Sequence, residues 1–227
     1  MPIKKTLRIA IDGPVGAGKT SAGRLLAARL GYRFLDTGLM YRAVTLAALD
    51  GHVPMGDPAA LEALAARSDI RLDTAPGGGA GILLNGKDVT ARLRSPEVDR
   101  SVSIVSAVPG VRAVLVEKQR QIASGGDIVM AGRDIGTVVL RDAELKIFLD
   151  ASGQTRARRR YEELRASGGT VKYDDVLAGL TRRDGLDSSR PASPLIPAAD
   201  ARLVDSDGLT LEQVVDCMEK LAAERAR

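Results

Sequence analysis

The stretch Ile9-Ala10-Ile11-Asp12-Gly13-Pro14-Val15-Gly16-Ala17-Gly18-Lys19-Thr20-Ser21 constrains this chain more than any other. It runs from an apolar strand through a glycine-rich turn into a helix, and it fits the phosphate-binding pattern G-x-x-x-x-G-K-[ST]. In such a loop the glycines let successive backbone N–H groups converge on phosphate oxygens. The lysine reaches the β- and γ-phosphates, and the hydroxyl meets Mg2+. The flanks supply the context that the pattern requires. Leu7, Ile9 and Ile11 alternate as a short strand, and Ser21 to Leu30 reads as a helix whose N-terminal dipole adds to the anion site. Gly13, Pro14, Val15, Gly16, Ala17, Gly18, Lys19, Thr20 and Ser21 are thus the expected phosphate cradle, with Thr20 as the metal-facing residue.

The rest of the chain alternates strand and helix signals around this unit. Tyr32 to Leu35 reads as a second strand, and a helix follows through Leu49 with Asp36 or Thr37 as its N-cap. Arg42, one turn into that helix, suits either a solvated surface or a site. From Gly51 to Arg100 the rhythm changes: a short helix at Leu61 to Ala66, a strand at Ile70 to Leu72, a flexible loop at Ala75 to Gly81, and an Asn85-Gly86 hairpin turn between Ile82-Leu83-Leu84 and Lys87-Asp88-Val89. Val111 to Ala123 is an amphipathic helix. Ile128 to Ala131 is an all-apolar run, as a central parallel strand requires. It ends in Gly132-Arg133-Asp134, a charged pair at the strand end where ligands sit in open α/β sheets.

Leu145 to Leu149 is the next strand, and Thr155 to Arg165 is a helix carrying Arg156, Arg159 and Arg160 on one face. That face is either solvated or a hinged cover over phosphate, with Gly168-Gly169 behind it. Asp174 to Arg183 forms a further short helix, followed by Asp184, Asp187, Arg190 and a proline-rich turn from Pro191 to Pro197. Ala201 to Asp205 is a last strand, and Thr210-x-x-Gln213 is a capping box for a final helix. About five strands alternating with helices predict an α/β fold, a doubly wound parallel sheet with insertions.

At 227 residues and 44% hydrophobic content, one domain with insertions is expected. Cys217 is the lone cysteine; its helical setting predicts a small buried apolar residue, and a reducing, cytoplasmic compartment is the default. No apolar run approaches membrane-spanning length, and Met1-Pro2-Ile3-Lys4-Lys5 leads to the first strand without a signal-peptide core, so no membrane partner is expected. The net charge of +4 and pI of about 9.4 point to an anionic partner. With no Trp, four Tyr and two Phe, stacking surfaces for nucleic acid are scarce, which favours a small polyphosphate over a nucleic-acid partner.

Three kinds of phosphate-loop protein compete: a small-molecule kinase, a nucleotide-driven switch and a nucleic-acid-dependent motor. Guanine-specific switches read the base with N-K-x-D, but the one asparagine here, Asn85, is spent in the hairpin turn. A motor places a carboxylate at the end of a third strand, where this chain has Ala131. His52 is the sole histidine and has no partner to orient it, so it reads as a surface residue. That shortage of bases suits a phosphate acceptor, whose second pKa near ~6 leaves it ionised and in need of positioning, not deprotonation.

Gly13-Pro14-Val15-Gly16-Ala17-Gly18-Lys19, Asp36-Thr37-Gly38-Leu39-Met40-Tyr41-Arg42, Gly132-Arg133-Asp134-Ile135-Gly136-Thr137, and Arg183-Asp184 through Asp187, Arg190 and Pro194-Leu195-Ile196-Pro197-Ala198-Ala199-Asp200 closely resemble the bacterial cytidylate kinases, over nearly the whole chain. Asp69 to Val98 is similar to the extra small sheet that marks the bacterial enzymes among nucleoside monophosphate kinases. The resemblance implies transfer of the ATP γ-phosphate to CMP or dCMP with Mg2+, in a cytoplasmic monomer that closes over its substrates. It implies a core at about 1–36, 106–155 and 174–227, a nucleotide-binding insertion at about 37–105 and a lid at about 156–173. It assigns Arg42 and Arg133 to the acceptor phosphate, Thr37, Arg112, Asp134 and Arg190 to the cytosine, and Ser103, Arg183 and Asp187 to the sugar. Lys19, Arg133, Arg156, Arg159 and Arg160 would act on the transferring phosphoryl group. Two positions depart from the pattern: Thr37 stands where many relatives carry Ser, and Ala131 where an acidic residue is usual. Another phosphate-loop kinase, or a non-catalytic nucleotide-binding switch, is the alternative.

Overall fold

The computed structural model describes residues 6–74, 80–166, 168–190 and 193–226. Its centre is a parallel sheet of β1 (Arg8–Asp12), β2 (Arg33–Asp36), β6 (Ile128–Ala131), β7 (Leu145–Asp150) and β8 (Arg202–Asp205), in the order β2-β6-β1-β7-β8. Ile11 pairs with Ala131 on one side and Ile147 on the other, so the first strand lies at the middle of the sheet. Both faces are covered. Ala10, Leu35, Ile128 and Met130 face one apolar layer, and Ile9, Ile11, Val129 and Ile147 face the other. This is why the strands read as continuous apolar runs.

The second layer includes α1 (Lys19–Leu30) and α8 (Leu211–Ala226). The first includes α2 (Thr37–Asp50), α3 (Pro58–Arg67), α4 (Pro96–Ala107) and α5 (Pro109–Ala123). Local chemistry sets most of these boundaries. Asp36 caps α2 by accepting from the Gly38 N–H at 3.0 Å, and Asp57 caps α3 through Ala60. Gly31 ends α1 in a left-handed conformation at φ 69°. The Thr210–Gln213 capping box is formed, with Thr210 N–H donating to Gln213 Oε1 at 2.9 Å and Gln213 N–H to Thr210 Oγ1 at 3.3 Å.

The small antiparallel sheet of β3 (Ile70–Thr74), β4 (Ala80–Leu84) and β5 (Lys87–Asp88) turns at Asn85 and Gly86, both at positive φ. Asn85 Oδ1 also accepts from the Asp69 N–H at 2.9 Å, tying the turn to the start of β3. Of the loop expected at Ala75 to Gly81, residues 75–79 lie outside those described. Ala80 and Gly81 instead belong to β4, because they continue the ladder opposite Thr74 and Asp73. Pro191 of the proline-rich turn also lies outside the described residues.

Two expectations need correction. Cys217 is exposed: Val214, Val215, Met218 and Ala222 supply the buried stripe of α8, and position 217 falls on its outer side. The helix expected to end at Arg183 is α7 (Tyr173–Ser188), which continues through Gly185 and places Arg183 and Asp187 one turn apart. It packs against α6 (Gly153–Ala166). His52 is exposed, as its isolation suggested.

The phosphate-loop helix sits unusually close to the sheet. A Cβ on Gly23 would lie 2.6 Å from the Phe34 ring and 3.3 Å from Ile11 Cδ1. Gly23→Ala is expected to lower stability by about 1–3 kcal/mol through overpacking, outweighing its better helix propensity. Urea unfolding of the two proteins checks this; an unchanged or higher midpoint would contradict the close approach of α1.

Candidate active site

The phosphate loop after β1 and the Arg133-Asp134 segment after β6 carry part of the expected set, and helices α2, α4, α5, α6 and α7 carry most of the rest. Gly13, Gly16 and Gly18 all have positive φ, at 149°, 81° and 93°. Gly13 is irreplaceable on space alone, because a Cβ there would come within 2.0 Å of the Leu149 carbonyl oxygen. Lys19 is buried and donates from Nζ to Pro14 O at 2.6 Å, folding back along the loop. Burial, and then the charge of Arg133, holds its pKa well below the ordinary lysine value. Thr20 Oγ1 donates to Asp36 Oδ2 at 2.7 Å, so the carboxylate that caps α2 also stands beside the loop hydroxyl.

Beyond β6 the chain presents two oppositely engaged side chains. Arg133 donates from Nε to Asp187 Oδ2 at 2.7 Å, while Asp134 accepts at Oδ2 from Arg112 Nη2 at 2.5 Å. Arg112 and Asp134 are each 6% exposed. Arg112 also donates to Ser106 O at 3.1 Å, and its guanidinium lies 5.3 Å from the Tyr41 ring centre. Burial raises the Tyr41 hydroxyl to about 12. Ser103 stands half-buried on α4, one turn before Ser106. Thr37 is buried and donates its hydroxyl proton to Ala131 O at 2.9 Å.

Asp187 is the hub of a larger basic cluster. Arg190 Nη2 lies 3.3 Å from its second oxygen, and Arg183 and Arg133 also act on it. Burial opposes its charge, but these guanidiniums outweigh burial and lower its pKa. Arg42 donates to Leu93 O at 2.9 Å and to Asp99 at 2.6 Å, so it is not a free surface arginine. Burial, reinforced by neighbouring guanidiniums, lowers the pKa values of Arg183 and Arg190. Arginine thus outnumbers carboxylate here, with Arg42, Arg133, Arg183 and Arg190 gathered around Asp99 and Asp187, a balance suited to an anion.

The arginines of α6 do not form one solvated face. Arg156 is buried and donates to Ala151 O and Val15 O, each at 3.0 Å, with Asp184 2.7 Å away. Arg159 donates to Ser206 Oγ at 3.0 Å and Ser206 O at 2.7 Å, while Arg160 pairs with Glu163 at 2.8 Å. Arg159 and Ser206 border a cavity of about 230 Å3 lined also by Ala17, Gly18, Ser21 and Leu209. No group of three or more metal-ligating side chains occurs among the described residues.

Sequence reasoning gave no role to Asp12, Asp184 or Ser206, and none to Asp36 beyond capping α2. Asp12 carried a usable signal, because it ends a central strand as Asp134 nearly does. Its buried carboxylate accepts from the Ile135 and Gly136 N–H groups at 2.7 Å each. Ser206 carried no signal, since its partners come from remote segments.

The profile of the cytidylate kinase family matches residues 9–224. The chain belongs to this family. It is 52% identical to the cytidylate kinase of Pelotomaculum thermopropionicum over 91% of this chain and 92% of that one. With the cytidylate kinase of Bacillus velezensis it shares 44% identity over 98% and 99% of the two chains. Among solved structures, shikimate kinase from Bacteroides thetaiotaomicron shares the fold at a TM-score of 0.51 and 14% identity, over 96% of this chain and 99% of that one. In this member of the cytidylate kinase family, Ala131 is buried in the apolar layer against α1 and its carbonyl holds Thr37.

The Arg112–Asp134 pair is the buried charge contact on which this part of the site stands. Arg112→Met strands the Asp134 carboxylate and is expected to destabilise the fold by about 3–5 kcal/mol. Adding Asp134→Leu should recover much of the loss. Equilibrium unfolding of both variants measures it, and a single variant as stable as wild type would show that the pair is not coupled.

Proposed function

We infer that the chain is an ATP-dependent kinase of cytidine monophosphates, moving the γ-phosphoryl group of ATP to CMP or dCMP and yielding ADP with CDP or dCDP. The observation that carries this reading is the side-by-side placement of two anion sites. The Gly13–Thr20 loop follows β1, Arg133 follows the adjacent strand β6, and Arg133 stands close enough to Lys19 for its charge to lower the lysine pKa.

The donor triphosphate lies along the loop amides, and Lys19 exchanges Pro14 O for phosphate oxygens. An anion there restores the charge that burial and Arg133 disfavour on Lys19. The cavity bordered by Arg159, Ser206 and Leu209 adjoins Gly18 and takes the donor base. Thr20 Oγ1 and an Asp36 oxygen, already 2.7 Å apart, are hard donors that fit Mg2+, which takes few protein ligands and completes its shell with phosphate and water. When bound, the ion neutralises charge on the β- and γ-phosphates.

At the acceptor, Arg42 and Arg133 grip the monophosphate, already mostly ionised because its second pKa is near ~6. No base is needed. One of its oxygens attacks the γ-phosphorus as the bond to the β-γ bridging oxygen breaks, and Lys19 stabilises the charge passing to that oxygen. Arg156, Arg159 and Arg160 complete the ring of positive charge around the transferred group, with Arg160 giving up Glu163 to do so. Asp134, held by Arg112 at Oδ2, accepts from the cytosine amino group at Oδ1. Thr37 and Arg190 border the base, and Ser103, Arg183 and Asp187 the sugar. The enzyme works as a cytoplasmic monomer, with residues about 37–105 as the acceptor-binding insertion and about 156–173 as the lid.

Lys19→Ala is expected to lower kcat by at least about 100-fold with the fold intact, because the lost charge acts where charge moves. Coupled assay of ADP formation from Mg-ATP and CMP tests this, and near-normal turnover would remove the kinase reading. Base choice is tested separately. Uracil presents a carbonyl where cytosine presents an amino group, so the carboxylate attracts one and repels the other. Asp134→Asn is expected to narrow the CMP-to-UMP ratio of kcat/KM by about 1–3 kcal/mol. An unchanged ratio would assign base reading to Arg112, Arg190 and Thr37 instead.

A further inference from the structure

Asp12 is buried at 3% exposure and has no part in the chemistry described above. It ends β1, and the next residue begins the phosphate loop. Its two carboxylate oxygens each take one backbone N–H, from Ile135 and Gly136, the first residues of a single π-helical turn at Ile135–Val139. N–H groups opening a helical turn lack partners within it, and Asp12 supplies them. Gly136 permits the approach, since a Cβ there would lie 3.3 Å from Asp12 Oδ2.

The contact matters because of what it brackets. On the near side, Gly132 N–H donates to Ile11 O at 2.9 Å, extending the pairing of β6 with β1. On the far side, the bonds of Ile135 and Gly136 end on Asp12. Arg133 and Asp134 therefore form a two-residue arch, pinned at both ends to consecutive residues of β1. From it Arg133 projects to Asp187 and Asp134 to Arg112.

We propose that Asp12 is a positioning residue for the acceptor nucleotide: through these two backbone bonds it fixes the arch from which Arg133 and Asp134 meet CMP. The proposal rests on the acceptor-site reading of Arg133 and Asp134 given above. It makes an unexpected assignment, because a residue abutting the donor loop governs the acceptor. A carboxylate suits the task since it accepts at both oxygens, whereas a carboxylic acid or an amide turns one polar hydrogen-bearing group toward an N–H.

The charge state of Asp12 follows from its surroundings. Burial pushes its pKa up to about 6, Asp134 adds to the rise, and the two N–H bonds and Lys19 oppose it. Lys146 of β7 also packs against the turn beside Gly136 and is paired with Asp200. Because the folded-state pKa lies above the unfolded one, Asp12 subtracts from stability as pH rises from about 4 to about 6, and the loss is complete above that. Its ionised form thus serves the arch at some expense to the fold.

The test is steady-state kinetics of Asp12→Asn with CMP and ATP varied separately, from pH 5 to 8. The expected result is a rise of about tenfold in KM for CMP with KM for ATP changed less than about twofold, and a urea midpoint close to wild type. The CMP phosphate titrates in the same range and contributes equally to both proteins; the additional acid-side loss with midpoint near 6 should be present in wild type and absent from the variant. Equal changes in both KM values, or identical pH profiles, would overturn the proposal. If Asp12→Asn does not fold, Asp12→Glu replaces it, since one added methylene displaces the carboxylate while keeping its charge. Arg133→Ala in the same assay separates the two readings. An unchanged KM for CMP in that variant sinks the acceptor-site assignment, whereas a raised one beside an unaffected Asp12→Asn sinks only the positioning role.

Discussion

No side chain can stand at position 13, where a Cβ would meet the Leu149 carbonyl oxygen at 2.0 Å. That single close approach lets the central strand leave the sheet between β6 and β7 and turn directly into a loop of inward-facing amides. The following helix then starts at Lys19, with Gly18 in a left-handed conformation as its cap. Gly23 lets α1 lie hard against Phe34 and Ile11. Backbone without side chains thus sets the geometry at which the charged side chains work.

The charges themselves are held in an arrangement that is electrostatically incomplete. Lys19, Arg183 and Arg190 all carry pKa values lowered by burial and by neighbouring like charge, and the cluster has more guanidiniums than carboxylates. An anion bound there would supply the missing charge and stabilise the arrangement. The same logic explains why three carboxylates of the site each have a designated partner. Asp187 takes Arg133 and Arg190, Asp134 takes Arg112, and Asp12 takes two amides.

The helix α6 joins these parts. Arg156 reaches Val15 in the phosphate loop and Asp184 on α7, and Arg159 reaches Ser206 beyond β8. Glu163 holds Arg160 and lies 3.9 Å from Arg94 of the insertion, so a single exposed carboxylate stands between the two segments expected to move toward each other. Exposed pairs of this kind cost little to break, as the proposed lid would require.

The sequence by itself determined what local chemistry controls: the phosphate loop, the apolar strands, the Asn85-Gly86 turn, the capping box at Thr210, and through its motifs the family, while it narrowed the cap of α2 to Asp36 or Thr37 and the structure chose Asp36. These depend on residues within a few positions of one another, where spacing alone decides what can touch. Tertiary structure decided the rest. The strand order that puts β1 at the centre, the burial of Arg156, the exposure of Cys217 and the continuation of α7 to Ser188 each depend on which surfaces meet. The partners of Arg133, Arg112 and Asp12 lie 54, 22 and 123 residues away in the chain. Such contacts form only after the sheet has closed the distance, and side-chain hydrogen bonds carry no periodicity that would announce them beforehand.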